Sequence, residues 1–110
     1  MIFSRVRLLL SETDRRRVIT SLTALVGWNR VQPGCRACHL LTDTEDPRAL
    51  VLWEEWESQE DLDRHLRSEE YRRVLAAIEL SQEAPEIRFD TVENRSGFEV
   101  VEAARLPQTE

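Results

Sequence analysis

An α+β domain built on an antiparallel sheet is the fold class predicted by this sequence of 110 residues. Three features carry that expectation. Apolar residues recur at every second position at the start of the chain and again between residues 35 and 57, as strands in a sheet require. Two stretches, one before and one after that second region, switch to a spacing of three and four, the period of an amphipathic helix. Turn formers separate the runs.

Residues 1–10 read as a first strand, with Ile2, Val6, Leu8 and Leu10 on one face and Phe3, Arg5, Arg7 and Leu9 on the other. Ser11, Thr13 and Asp14 then offer capping side chains. Val18, Leu22, Leu25 and Val26 form the apolar stripe of a helix that runs to Asn29 or Arg30 and is stopped by Pro33-Gly34. Cys35 to Thr42 and Ala49 to Glu57 read as two strands, and the turn-forming Asp43-Thr44-Glu45-Asp46-Pro47 between them predicts a hairpin. Ser58-Gln59-Glu60-Asp61 resembles a capping box with Asp in the Glu position, opening a short helix that carries Leu62, His65 and Leu66. Ser68 caps a second segment, in which Tyr71, Val74, Leu75 and Ile78 keep the helical spacing until Pro85 ends the helical region. Glu86 to Val92 alternates as a fourth strand, and Asn94-Arg95-Ser96-Gly97 turns into Phe98 to Ala104, an apolar-alternating piece read as an extra strand.

Strand, helix, strand, strand, helix, strand is the order of the ferredoxin-like split βαβ arrangement. Residues 1–104 are expected to form this one domain and residues 105–110 a flexible tail. Two helices cover only one face of such a sheet, whereas Ala49-Leu50-Val51-Leu52-Trp53 is apolar at odd and even positions alike. A second copy with its sheet facing the first is the economical cover, so a homodimer through sheet faces is expected.

Composition narrows the function classes. With 41% hydrophobic and 33% charged residues the chain is that of a folded domain rather than a disordered one. A net charge of -6 has the wrong sign for a nucleic-acid partner. The basic run Arg15-Arg16-Arg17 follows Glu12 and Asp14 and reads as a solvated helix face. No apolar run approaches the roughly 18 residues that span a bilayer, and Arg5 and Arg7 interrupt the place where a signal peptide would be apolar. The expected location is the cytoplasm, where thiols stay reduced.

Cys35-Arg36-Ala37-Cys38-His39 has the Cys-x-x-Cys-His spacing of covalent haem attachment. Strand alternation places Cys35 and Cys38 on opposite faces, where two sulfurs cannot grip one macrocycle, and covalent haem is normally attached outside the cytoplasm. A zinc site would want two more ligands, which His65 alone cannot supply. The expectation is a plain strand with small buried thiols and no metal or other cofactor.

Residues 52–68, Leu-Trp-Glu-Glu-Trp-Glu-Ser-Gln-Glu-Asp-Leu-Asp-Arg-His-Leu-Arg-Ser, carry the pattern Glu54-x-Trp56-x-Ser58, then Leu62, then His65-Leu66-x-Ser68. In a split βαβ frame, and with Pro33-Gly34-Cys35 before the second strand, this resembles the antibiotic biosynthesis monooxygenase family over residues 1–104. The resemblance implies a dimeric α+β barrel with a pocket between sheet and helices in each subunit. In some members that pocket oxidises quinols or polyketide phenols with dioxygen and no bound metal or flavin. Polyketide oxygenases of this kind carry Asn and Tyr where this chain has Leu52 and Leu62. Haem-degrading members carry an Asn on the first strand, absent from residues 1–10, a Trp at His65 and an axial His at Leu75. The quinol-monooxygenase-like subgroup matches in its Glu, Trp, Ser and helix His.

On that resemblance His65 is the candidate general acid or base, and Trp56 a stacking wall, although a core anchor under the second helix is favoured for it. Glu54, Leu52, Leu62 and Tyr71 are the candidate substrate-binding residues. For Glu54, pairing with Arg5 or Arg7 across strands is favoured over orienting His65. The implied reaction is a cofactor-independent monooxygenation of a small aromatic or quinol-like ligand. A noncatalytic binding or structural role, and an isomerase or degradation enzyme for a small metabolite, stay open beside it.

Overall fold

The computed structural model describes residues 1–107 as a ferredoxin-like α+β fold. Strand β1 (Ile2–Leu9) lies at the centre, paired antiparallel with β3 (Ala49–Trp56) on one side and with β4 (Glu86–Thr91) on the other. Strand β2 (Cys35–Thr42) pairs with β3, so the sheet order is β2-β3-β1-β4. Helices α1 (Glu12–Arg30), α2 (Gln59–Leu66) and α3 (Arg72–Glu79) follow β1 and β3. Among the described residues, no helix is long and apolar enough to cross a membrane.

Local chemistry starts α1 and α2 where the sequence predicts, whereas the N-cap of α3 is Tyr71, with no side-chain cap bond, and not the expected Ser68. The Ser11 hydroxyl accepts from the Asp14 N–H at 3.2 Å at the head of α1, and Ser58 does the same for Asp61 at 3.2 Å at the head of α2. Ser68 accepts from the Tyr71 N–H at 3.3 Å, just ahead of α3. Val18, Leu22, Leu25 and Val26 of α1 are buried against the sheet face that carries Ile2, Ser4, Val6, Leu8, Leu50, Leu52, Glu54 and Trp56. Each such aliphatic side chain contributes about 1.5–3 kcal/mol through its removal from water. In the Arg run of α1, Arg16 and Arg17 face solvent, on Glu12 and Asp14, while Arg15 is half-buried.

Gly34, at φ +82°, turns the chain from α1 into β2, and its carbonyl accepts from the Glu57 N–H at 2.8 Å. A Cβ at this position would stand 2.2 Å from the Asp61 Cγ. Gly34→Ala is therefore expected to destabilise by about 2–4 kcal/mol, from left-handed backbone strain together with displacement of Asp61 from its cap. Thermal unfolding checks this, and an unchanged midpoint would mean the turn relaxes freely.

Three expectations need correction. Cys35 and Cys38 do not lie on opposite faces: Cys35 pairs with Trp56, Ala37 with Glu55 and Cys38 with Glu54, so Arg36 is the extra residue of a bulge. The inserted residue cancels the alternation, and both sulfurs belong to the helix-covered face. Phe98 to Ala104 is not a strand: Glu99–Arg105 forms a helix, α4. Adjacent Val100 and Val101 break strict alternation, Ala103 and Ala104 are strong helix formers, and the Glu99 carboxylate accepts from the Gly97 N–H at 2.7 Å. That bond and its own N–H hold the Glu99 carboxyl below its usual range. Of the expected tail, Arg105 closes α4, and residues 108–110 lie outside the described residues.

Glu54, lastly, does not pair with Arg5 or Arg7. Those arginines point to the opposite sheet face, where Arg5 meets Glu86 and Arg7 meets Asp43. The same face carries a tilted Phe3–Trp53 pair at 5.1 Å and Arg95, which lies 5.5 Å over the Phe3 ring and pairs with Glu55. Leu41 on this face is 46% exposed. At the other edge no residue of β4 or α4 is buried, and the molecule extends over 58 × 34 × 22 Å.

Candidate functional site

The helix-covered face of β3 ends in Leu52, Glu54 and Trp56, with the polar residue set between two apolar ones. Helix α2 crosses that end and, one turn apart, brings down Leu62 and His65. The last turn of α1 adds Asn29. Glu54 is 1% exposed and His65 3%. One carboxylate oxygen of Glu54 stands 2.9 Å from His65 Nε2 and accepts at 2.9 Å from Asn29 Nδ2; the other accepts from Trp56 Nε1 at 3.4 Å.

A carboxylate has only lone pairs to offer, so in the neutral imidazole Nε2 carries the hydrogen and Nδ1 keeps its lone pair. Nδ1 is buried and has no hydrogen-bond partner. The ring is clamped as well as hydrogen-bonded. Trp56 stacks on it at 4.5 Å and 26°, and Tyr71 meets it edge-on at 5.1 Å and 82°. Among the described residues Glu54 has no Arg or Lys ion-pair partner. Among the described residues, His65 is the only basic group within its hydrogen-bonding shell.

A cavity of about 340 Å³ opens beside this cluster, at the junction of α1, α2 and the end of β3. Trp28, Pro33 and Trp56 give it apolar walls, and His65 lines it. The aromatic walls suit a flat ring.

Of the residues singled out by sequence, His65 and Trp56 line this cavity, and Trp56 is at once core anchor and wall. Glu54 stands behind His65. Leu52 packs in the main core, Leu62 in a smaller cluster with Ile2 and Trp56, and neither lines the cavity. Tyr71 is also away from it; burial, with the Glu54 charge adding, pushes its phenol up to about 12, so it stays protonated. Burial does the same to Cys38, again to about 12, and raises Cys35. Neither thiol is poised as a thiolate nucleophile. Cys38 is packed in the core between α1 and the sheet, which leaves no surface there for a macrocycle.

Sequence reasoning missed Asn29, Trp28 and Pro33. For Asn29 a signal was present: it continues the stripe of Leu22, Leu25 and Val26 at helical spacing, and a polar residue on a buried stripe needs a buried partner.

The family model described as antibiotic biosynthesis monooxygenase matches residues 1–77. Among solved structures, one described as an antibiotic biosynthesis monooxygenase superposes with a TM-score of 0.75 at 23% identity, covering 86% of this chain and 100% of its own. Rv0793 from Mycobacterium tuberculosis superposes at 0.77 with 22% identity, covering 87% and 98%. A protein from Deinococcus radiodurans reaches 0.79 at 16% identity, covering 88% and 97%. At these identities the likeness is one of fold. No curated protein matches the sequence at a significant level. The structural likeness extends past the matched segment into β4, while the family model itself takes in β1 through most of α3 and every residue of the Asn29–Glu54–Trp56–His65 cluster. The chain belongs to the antibiotic biosynthesis monooxygenase family.

Proposed function

We propose that the cavity binds a small aromatic or quinol-like molecule and that the protein oxygenates it with dioxygen and no bound cofactor. The observation that carries this reading is the buried His65, held through Nε2 by Glu54 with Nδ1 unpartnered, on the wall of a Trp-lined cavity. A ring stacked between Trp28 and Trp56 would present a phenolic or enolic O–H to Nδ1. Removal of that proton leaves an electron-rich anion that can give an electron directly to dioxygen, and the imidazolium is stabilised by Glu54. For a naphthohydroquinone the balance is one dioxygen consumed, one oxygen atom joined to a ring carbon and the other released as water, with the substrate supplying all electrons. Trp56 holds the imidazole plane, and Glu54 fixes its tautomer.

The test is oxygen uptake with 1,4-dihydroxynaphthalene under ¹⁸O₂. One labelled atom in a hydroxyquinone product, lost in His65→Ala, is the expected result. Hydrogen peroxide and unlabelled quinone at the uncatalysed rate would turn the reading to a binding protein without turnover. Turnover without dioxygen would indicate an isomerase or degradation enzyme.

A homodimer through the sheet faces accompanies this proposal. It is supported by Phe3, Trp53 and Leu41 on a face that no helix covers, and by β4 and α4 lying wholly exposed. Sedimentation at micromolar concentration should give twice the chain mass; a stable monomer would refute it.

A further inference from the structure

We infer that α4 is a docking element: it crosses to a second copy of the chain and lies in that copy's groove between α1 and β2. The inference rests on the sheet-face homodimer proposed above and adds the surface that receives the exposed helix. Helix α4 has seven residues, and none of them is buried. An isolated helix of fewer than about 12–15 residues is marginal in water, so one this short is held by packing. Its own chain supplies no cover among the described residues. Phe98 is 70% exposed and Val101 45%, and a spacing of three puts both on one side of the helix. The radius of gyration is 16.8 Å, against about 13 Å for a compact chain of this length. The segment leading to α4 is fastened to the open sheet face, where Arg95 pairs with Glu55 and lies 5.5 Å over the Phe3 ring. α4 therefore starts on the side away from its own helix layer, which is the side a facing copy occupies.

The sheet has two free edges, β2 and β4. β4 has no buried residue and forms no pocket wall, whereas the β2 edge borders a groove of about 390 Å³ on the helix side. Ile19, Val26, Leu40 and Leu50 make the groove apolar, which suits Phe98 and Val101. Arg30 is its one charged lining residue; its Nε donates to the Cys38 carbonyl at 3.0 Å, and it has no carboxylate partner among the described residues. α4 brings the complementary charge, with Glu99 and Glu102 next to its apolar side. Gly27 also lines the groove, in the interior of α1, where glycine weakens a helix relative to alanine. A Cβ there would meet nothing within 4 Å, so the chain's own packing gives no reason for a glycine. Close approach of a second backbone gives one. The docked helix would also cover the free edge of β2, which is otherwise open to pairing with any extended chain.

The test mixes ¹³C-labelled and unlabelled full chain, refolded together, and records isotope-filtered NOE spectra that report only contacts between copies. Contacts of Phe98 and Val101 with the methyl groups of Ile19, Val26 and Leu40 across the two copies are the expected result. Sedimentation then measures the strength of the dimer. Phe98→Asp changes a side chain that is largely exposed in the single chain and so spares its fold, and it should raise the dimer dissociation constant by roughly tenfold or more. Gly27→Trp, which fills the groove from the α1 side, should do the same. A dimer in which Phe3 and Trp53 meet across copies while α4 contacts only its own chain, or in which neither substitution weakens association, would overturn the docking and leave the sheet-face dimer standing. A stable monomer would overturn both.

Discussion

Glu54→Ala is expected to lose about 3–5 kcal/mol of folding stability, because it removes the acceptor of a buried hydrogen-bond network. Three buried donors lose their acceptor at once: His65 Nε2, Asn29 Nδ2 and Trp56 Nε1. A buried donor left unpaired costs about 1–3 kcal/mol. Against that sum stands relief of the desolvation cost of a carboxylate that has no Arg or Lys beside it. The orphaned donors win, because they remain in place after the substitution while only one burial cost disappears. Such a loss is a large part of the 5–15 kcal/mol that holds a domain together. Glu54→Gln retains one acceptor oxygen and should lose less. Urea denaturation of both variants measures the difference, and a Glu54→Ala midpoint close to that of the unaltered protein would mean the network contributes little.

His65→Ala is expected to lower turnover of an oxygenated quinol by a factor of about 10²–10⁴, the range that a positioned general base supplies. The same change also weakens the fold, since Trp56 loses its stacked ring, Tyr71 its edge contact and Glu54 a donor. The two effects separate when the rate is expressed per folded molecule and compared with Glu54→Gln. A histidine that were only structural would lower the unfolding midpoint and leave turnover of the folded fraction unchanged. A histidine acting as base should lose rate in both variants, and by less in Glu54→Gln, where the imidazole remains and its tautomer is no longer enforced. Binding of 4-ethylphenol to His65→Ala would show that the cavity itself survives.

Much of this protein is legible in its sequence, for reasons that differ residue by residue. Ser11 and Ser58 announce caps because hydroxyls satisfy backbone donors within three residues of themselves, while Ser68 makes the same bond in the turn ahead of α3 without capping it. Leu50, Leu52, Glu54 and Trp56 share a face because alternation along an unbroken strand needs no other information. The bulge at Arg36 was not legible: one inserted residue in β2 changes the face of Cys35, and only the pairing with β3 reveals the insertion. α4 was misread because seven residues with two adjacent valines satisfy strand and helix patterns almost equally. Asn29 was visible as a polar residue on an apolar stripe, while its partner was not.

The sequence by itself determined what depends on near neighbours and periodicity: the element order as far as β4, the starts of α1 and α2, the faces of β1 and β3, and the family pattern from Glu54 to Ser68. Only the tertiary structure decided the chemistry of the site. Glu54 reaches Asn29 across 25 residues and His65 across 11, and the choice of those partners over Arg5 and Arg7 follows from which sheet face each side chain occupies. Periodicity assigns a residue to a face. Which element then covers that face, and which donors it delivers to a buried carboxylate, is set by packing between segments distant in the chain.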